Sequence, residues 1–350
     1  MKKNILILLL VFCFQQKAFL QNVKNSKLHF TSNGKSRVSL DSIYYYQCAA
    51  MDSSGNQISF SVEALPSWLK FNKENHSVSG KPLRPGQYMI HLLASAADTI
   101  DHQNFMLTVF NNKTMNILAI GNSITNGTNK YNSYRRPLWQ LLHNANYNFD
   151  FIGSWNKHHM GGEVPNPDFD MDHDGHSGWT THDMLSPPDW DKQRGNINTW
   201  LQAYRPDIVL VELGTNDVFQ CVPAKAAMEN IDSILNILRN KNPQVKIFLA
   251  QIPPLGAQWA EKKLCGTDIS YGKSIEIFNN QITKLAAEKN TIVSPVIAVD
   301  LFTNVNPATD MYDDIHPNDI GEWNMAESWY KAIKKYLGKL KIESFKVMNN

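Results

Sequence analysis

The sequence predicts an α/β chain in two parts: a three-layer α/β/α sandwich on a parallel sheet, preceded by a small all-β sandwich. Three observations predict this. From Met115 onward, short apolar runs alternate with segments of helical apolar spacing. Runs that are apolar throughout suit strands buried on both faces, which is the setting of a parallel sheet covered by helices. Between about Val23 and Asn112, β-rich runs are separated by turn residues with no helical period between them. A chain of 350 residues with 43% hydrophobic content can fill two such cores.

The N-terminus reads as a secretory leader over residues 1–20. Lys2 and Lys3 precede an apolar run from Ile5 to Phe14, and polar Gln15, Gln16 and Lys17 follow it. That run is too short to span a bilayer, and no later segment is long and apolar enough for membrane insertion. The expected location is therefore secreted or periplasmic. Lipoprotein anchoring at Cys13 is the alternative, although Leu10, Val11 and Phe12 lack the small residues such processing prefers. Without Lys2, Lys3 and Lys17 the chain carries 31 basic and 32 acidic residues, a net charge of −1. That balance gives no footprint for nucleic acid or an anionic membrane surface.

In the first module (23–112) the runs Ser59–Val62, Tyr88–Leu93 and Phe105–Val109 read as strands. Ser53-Ser54-Gly55-Asn56, Ser79-Gly80-Lys81-Pro82 and Arg84-Pro85-Gly86 read as the turns between them. The line from Leu65-Pro66-Ser67-Trp68-Leu69-Lys70-Phe71 through Gly80-Lys81-Pro82 to Gly86-Gln87-Tyr88 resembles the immunoglobulin/cadherin-like modules of secreted bacterial proteins. In that pattern Trp68 belongs to the core. Cys48, in a mixed apolar run, reads as a buried small hydrophobe.

The second part (115–340) begins with the strand Met115–Ile120, which ends at a glycine. Tyr134–Ala145 follows as a helix with Leu138, Leu141 and Leu142 on one face. Asp207–Leu213 and Val245–Ile252 are further strands, and the helix Ala224–Asn240 between them turns Ile231, Ile234, Leu235 and Leu238 inward. Ser274–Lys289 is another helix, Ile292–Val299 another strand, and Gly321–Leu337 the last helix. In such sheets ligands sit beyond the carboxyl ends of the strands.

Four short motifs fall at those ends or in loops. Gly121-Asn122-Ser123 follows the first strand, where a glycine allows a sharp turn and an exposed N–H can meet negative charge. Asp172-His173-Asp174-Gly175-His176-Ser177-Gly178-Trp179 occupies a long loop. Gly214-Thr215-Asn216-Asp217 follows the second strand, and Asp313-Asp314-Ile315-His316-Pro317 lies near the C-terminus. Any one of these is weak alone. Together they supply a serine, a base for it, and an acid three residues before that base, which a serine nucleophile requires.

With these motifs, residues 115–340 resemble the SGNH (GDSL-type) hydrolases, whose fold is a flavodoxin-like three-layer sandwich. Within them the chain is similar to carbohydrate esterase family 3, the acetylxylan-esterase-like branch. The resemblance implies Ser123 as nucleophile, His316 as general base and Asp313 as its orienting acid. It implies an oxyanion hole from the N–H groups of Ser123 and Gly178 and the Asn216 side chain. The implied reaction removes acetyl groups from an acetylated plant polysaccharide or oligosaccharide and requires no cofactor or metal. The alternatives are an esterase on another acetylated glycan or a lipid ester, or a glycan-binding protein without activity. Asn122 departs from the family motif, which carries aspartate there. Asp314 is the alternative acid, but only Asp313 has the three-residue spacing.

Other readings compete for some residues. Asp170, Asp172 and Asp174 with Gly175 match the first half of a calcium loop, but Thr181 stands where a bidentate glutamate belongs. His158, His159, His173 and His176 fit no standard zinc spacing. Cys221 and Cys265 lie in loops and form either a disulfide or two free thiols. Trp155, Trp179, Trp190 and Trp259 fall in or near loops and could face a sugar, since flat aromatic rings suit pyranoses. Trp179, beside Gly178, and Trp259 are the chosen substrate-binding candidates. Trp139, Trp200, Trp323 and Trp329 lie on helices and read as packing.

Overall fold

In a computed structural model of the chain, residues 28–111, 114–158 and 164–348 are described. The leader at residues 1–20, Cys13 and His159 lie outside them. The chain divides into two compact units, with the boundary between Asn112 and Lys113.

The first unit is all β. Strands β1 (Leu28–Phe30), β2 (Arg37–Ser39), β3 (Tyr44–Gln47), β4 (Ala50–Asp52), β5 (Ser59–Ala64), β6 (Lys70–Asn72), β7 (Ser77–Gly80), β8 (Gly86–Ala96) and β9 (Thr99–Phe110) make it up. A four-stranded sheet runs β2-β9-β8-β5, a three-stranded sheet β3-β7-β6, and β1 pairs with β4. Alternation sets which faces meet. Ile90, Leu92, Phe105, Leu107 and Val109 from one sheet pack with Tyr44, Tyr46 and Val78 from the other. Cys48 is buried and unpaired among them, and burial pushes its thiol up to about 11. Trp68 packs against this core, edge-on to Tyr88 at 5.7 Å.

The second unit is a three-layer α/β/α sandwich. Its strands are β10 (Met115–Gly121), β11 (Phe149–Ile152), β12 (Asp174–Gly175), β13 (Ile208–Glu212), β14 (Lys246–Ala250) and β15 (Val296–Val299). They form a parallel sheet in the order β11-β10-β13-β14-β15, with β12 paired to the end of β10. Its helices are α1 (Ser123–Asn126), α2 (Arg135–Asn144), α3 (Ile197–Ala203), α4 (Thr215–Phe219), α5 (Ala224–Lys241), α6 (Ala257–Ala260), α7 (Tyr271–Lys289) and α8 (Asp319–Met348). Leu118, Ile120, Val209, Val211, Ile247 and Leu249 point to one face of the sheet. There they meet Ile231, Ile234, Leu235 and Leu238 of α5 and Ile275, Phe278 and Ile282 of α7. On the other face Phe248 meets Tyr336 of α8, and Tyr134 beside α2 packs on Trp329.

Boundaries differ from the sequence reading at the last helix, which runs Asp319–Met348 rather than Gly321–Leu337, and at the last strand. The last strand begins at Val296 rather than Ile292, and Ile292 is fully exposed. Pro295 has no N–H for the ladder, so pairing begins after it; the Val296 N–H is still taken by the Asn290 side chain at 3.1 Å. The edge strand β11 and helix α3 are additions.

Candidate active site

Strand β10 ends at Gly121, whose register partners are Glu212 and Gly175. A Cβ at 121 would stand 2.0 Å from the Thr125 hydroxyl, so only glycine lets the chain turn here. Asn122 caps α1 by accepting the Ile124 N–H at 2.8 Å, which places Ser123 at the first helical position. Arg135, fully buried, holds the far end of this short helix. Its guanidinium donates to the carbonyls of Thr125 (2.7 Å), Asn126 (3.0 Å) and Met171 (2.8 Å).

Ser123 Oγ and His316 Nε2 are 2.8 Å apart. On the other side of the ring, His316 Nδ1 lies 2.9 and 3.0 Å from the two Asp313 oxygens. Asp313 also accepts the backbone N–H groups of His316 at 2.8 Å and Ile315 at 3.2 Å. Burial raises the Asp313 carboxyl, but the His316 ring, its charge and these N–H donors outweigh that and hold it below the usual range. Asp314 turns the other way, at φ +62°. Its carbonyl accepts the Gly256 N–H at 2.8 Å and its carboxylate the Gln258 amide at 3.2 Å. The structure thus separates the two neighbouring acids.

Gly178 adopts φ +83°, and Asn216 on α4 donates one amide N–H to the Trp179 carbonyl at 2.8 Å. The Asn126 amide reaches Ser177 Oγ at 3.2 Å and ties this loop to the serine helix. Asp217 fixes α4 to the same loop by accepting from the Thr181 N–H (3.0 Å) and hydroxyl (2.6 Å). Gly178 and Asn216 therefore belong to one hydrogen-bonded assembly tied to the serine helix through Asn126.

Beneath the serine sits Glu212, fully buried, with Thr125 Oγ1 at 3.5 Å. Burial pushes its carboxyl up to about 8, although Thr125 and Asn122 pull in the other direction. An aspartate at 122 would set a second carboxylate beside this group, which gives the amide of Asn122 a physical reason. Between the ordinary value of 4.5 and about 8, the fold keeps a proton on Glu212 that the unfolded chain has released. Stability therefore falls as pH rises through that window. Thermal melts at pH 5 and pH 9 should show a smaller loss for Glu212→Gln than for the wild type. Equal losses would refute this role for Glu212.

Of the two candidate substrate contacts, Trp179 needs correction. Trp179 is fully buried: the left-handed turn at Gly178 sends it inward, stacked on His176 at 4.3 Å, with its N–H on Asp191 at 3.1 Å. Trp259 packs edge-on against Phe219 at 5.2 Å and Tyr271 at 6.2 Å, and Lys262 Nζ lies 3.8 Å over its ring. Trp179 therefore offers no free face, whereas Trp259 is half-buried. Cys221 and Cys265 form a disulfide, with Cα atoms 6.3 Å apart, beside this aromatic group. It closes a separation of 44 residues, and for such a loop chain entropy assigns about 4 kcal/mol of stabilisation.

The aspartates of the calcium-like pattern diverge. Asp170 accepts the Phe151 and Asp172 N–H groups, whereas Asp174 turns to Ser154 and Tyr204 and is pushed by burial up to about 7. His173 accepts the Gly175 N–H at 2.9 Å, and its Nε2 meets the Lys157 carbonyl at 3.1 Å. Among the described residues no group of three or more His, Cys, Asp or Glu is arranged to hold a metal ion.

Sequence reasoning missed Tyr131, whose ring stacks on the His316 imidazole at 5.4 Å and 26°. Nothing in its loop marked it. It also missed Arg135, which sits on a helix where an arginine ordinarily reads as solvent-facing.

Comparison with known proteins bears on the fold and the family. A "Multidomain esterase" of Ruminococcus flavefaciens is 30% identical over 237 residues, 64% of this chain. The chain spans only 29% of that protein's length. The crystal structure of a carbohydrate esterase family 3 from Talaromyces cellulolyticus is 29% identical. It covers 65% of this chain and 98% of its own, with a TM-score of 0.50. A Clostridium thermocellum family 3 carbohydrate esterase is 28% identical and covers 65% of this chain and 99% of its own, with a TM-score of 0.51. Residues 26–110 match the family described as Putative Ig domain. Residues 119–323 match the GDSL-like Lipase/Acylhydrolase family, and on that match, which takes in more than half of the sequence, the chain belongs to this family.

Proposed function

We propose that this protein is an exported serine esterase that removes acetyl groups from O-acetylated plant polysaccharide, with xylan the leading substrate. The continuous hydrogen-bonded line Ser123–His316–Asp313 carries the reading. Similarity to two family 3 carbohydrate esterases supports the substrate class. The disulfide supports export, since such bonds persist in oxidising compartments.

In this reading Ser123 Oγ attacks the acetyl carbonyl while His316 Nε2 takes its proton. Asp313 holds the ring so that Nε2 faces the serine, and it stabilises the imidazolium that forms. The oxyanion is met by the N–H groups of Ser123 and Gly178 and the free N–H of the Asn216 amide. Loss of one such donor typically costs about 2.7–4 kcal/mol of barrier. His316 then protonates the departing sugar oxygen, and water, deprotonated by the same ring, releases acetate from Ser123.

Acetate release across a panel of acetylated xylan, mannan and pectin, set against long-chain esters, tests the proposal. Turnover on at least one acetylated glycan above that on long-chain esters is expected. Preference for the long-chain esters would replace it with a lipid-ester reading.

A further inference from the structure

Among the described residues of the second unit, three aromatic side chains stand out as exposed: Trp190, Tyr312 and Trp323, at 56%, 50% and 41%. Trp323 lies on α8 and donates to Glu327 of the same helix. The other two lie beside Gly178 and His316. Trp190 sits on the 3₁₀ helix Asp189–Arg194, and its ring edge comes within 3.7 Å of where a Cβ on Gly178 would stand. It therefore borders the oxyanion side. Tyr312 borders the histidine side: its N–H donates to the His316 carbonyl at 2.7 Å, and its ring lies 6.1 Å from Tyr131, the ring stacked on His316.

Both are mounted on rigid supports. Asp191, next to Trp190, is buried and accepts from the Trp179 indole at 3.1 Å and the Gln193 amide at 2.8 Å, and it pairs with Arg194 at 3.4 Å. The Tyr312 segment is closed by its bond to His316 and by a bridge between Met311 and Pro317. Large aromatic faces held rigidly toward solvent lose little entropy when a ligand covers them. Neither ring is buried in a core, although Lys130 Nζ lies 5.4 Å from the centre of the Tyr312 ring.

We propose that Trp190 and Tyr312 are the two walls of a saccharide-binding cleft, and that the enzyme grips an acetylated sugar chain on both sides of the ester. The proposal rests on the esterase reading above and adds which residues recognise the substrate. The chemistry assigns the sides. His316 returns its proton to the leaving sugar oxygen, so the ring bearing the ester lies on the Tyr312 side. A neighbouring ring in the chain then reaches the face of Trp190. Aromatic faces recognise the C–H surfaces of pyranose rings and do not depend on substrate charge. A simple acetate ester, lacking those rings, gains nothing from them.

The test compares kcat/KM on an acetylated xylo-oligosaccharide with kcat/KM on ethyl acetate for the wild type, Trp190→Ala, Trp190→Phe and Tyr312→Ala. Loss of one aromatic face should lower the oligosaccharide-to-ethyl-acetate ratio by about tenfold in each alanine variant, mainly through KM. Trp190→Phe should recover part of it. Both side chains are half exposed, and turnover of ethyl acetate reports an intact fold. A ratio unchanged in both alanine variants, with the wild type active on the oligosaccharide, overturns this proposal and leaves the esterase reading standing. A wild type that cleaves ethyl acetate but no acetylated sugar overturns the glycan reading and this proposal with it.

Discussion

Ser123→Ala is expected to abolish ester hydrolysis, with kcat on p-nitrophenyl acetate falling by about 10⁶-fold. The Ser123 hydroxyl is the group aligned with His316 Nε2, at 2.8 Å, and alanine leaves no atom able to form the acyl-enzyme. The fold should be untouched. Ser123 is only partly buried, and its α1 helix stays capped by Asn122 and held by Arg135. KM should therefore change little, because the oxyanion donors and the surrounding walls remain. His316→Ala should cost a similar factor, and the double variant scarcely more, since serine and base act as one unit. A Ser123→Ala protein that keeps a measurable fraction of wild-type kcat would remove the serine from the mechanism.

Asp313→Asn is expected to lower kcat by about 10⁴-fold, because an amide in place of the carboxylate favours the wrong imidazole tautomer. Asp313 is the acid that touches Nδ1, at 2.9 and 3.0 Å, and the same residue orders the His316 backbone. Asp314→Asn is the built-in control. That residue faces Gly256 and Gln258, and asparagine tolerates its left-handed backbone. Its kcat should stay within severalfold of the wild type. Steady-state kinetics on the pair would decide between the neighbours, and a larger loss at 314 would reverse the assignment.

The parts legible in the sequence are those where one physical requirement dominates. β10, β13 and β14 are apolar throughout because both faces are buried, and that reads directly. Edge strand β11 carries Asp150, which broke the apolar run and hid it. Ile292 and Val293 look like strand residues, yet they stay exposed because Pro295 delays pairing. The residues joined at the site were legible from chemistry: a serine after a glycine turn, and an acid three residues before a histidine. Side-chain direction was not. Gly178 adjoins Trp179 in sequence, but its φ of +83° buries that ring and leaves Trp190, from a separate segment, at the rim. Tyr131 and Arg135 act through tertiary contacts that leave no local pattern.

Ser123, activated by His316, is the proposed nucleophile of this protein. Labelling with an alkyl fluorophosphonate, followed by peptide mass analysis, tests it most directly. One equivalent on the peptide carrying Ser123 is expected, absent in Ser123→Ala and strongly slowed in His316→Ala. Label on another residue, or undiminished label in Ser123→Ala, would contradict it.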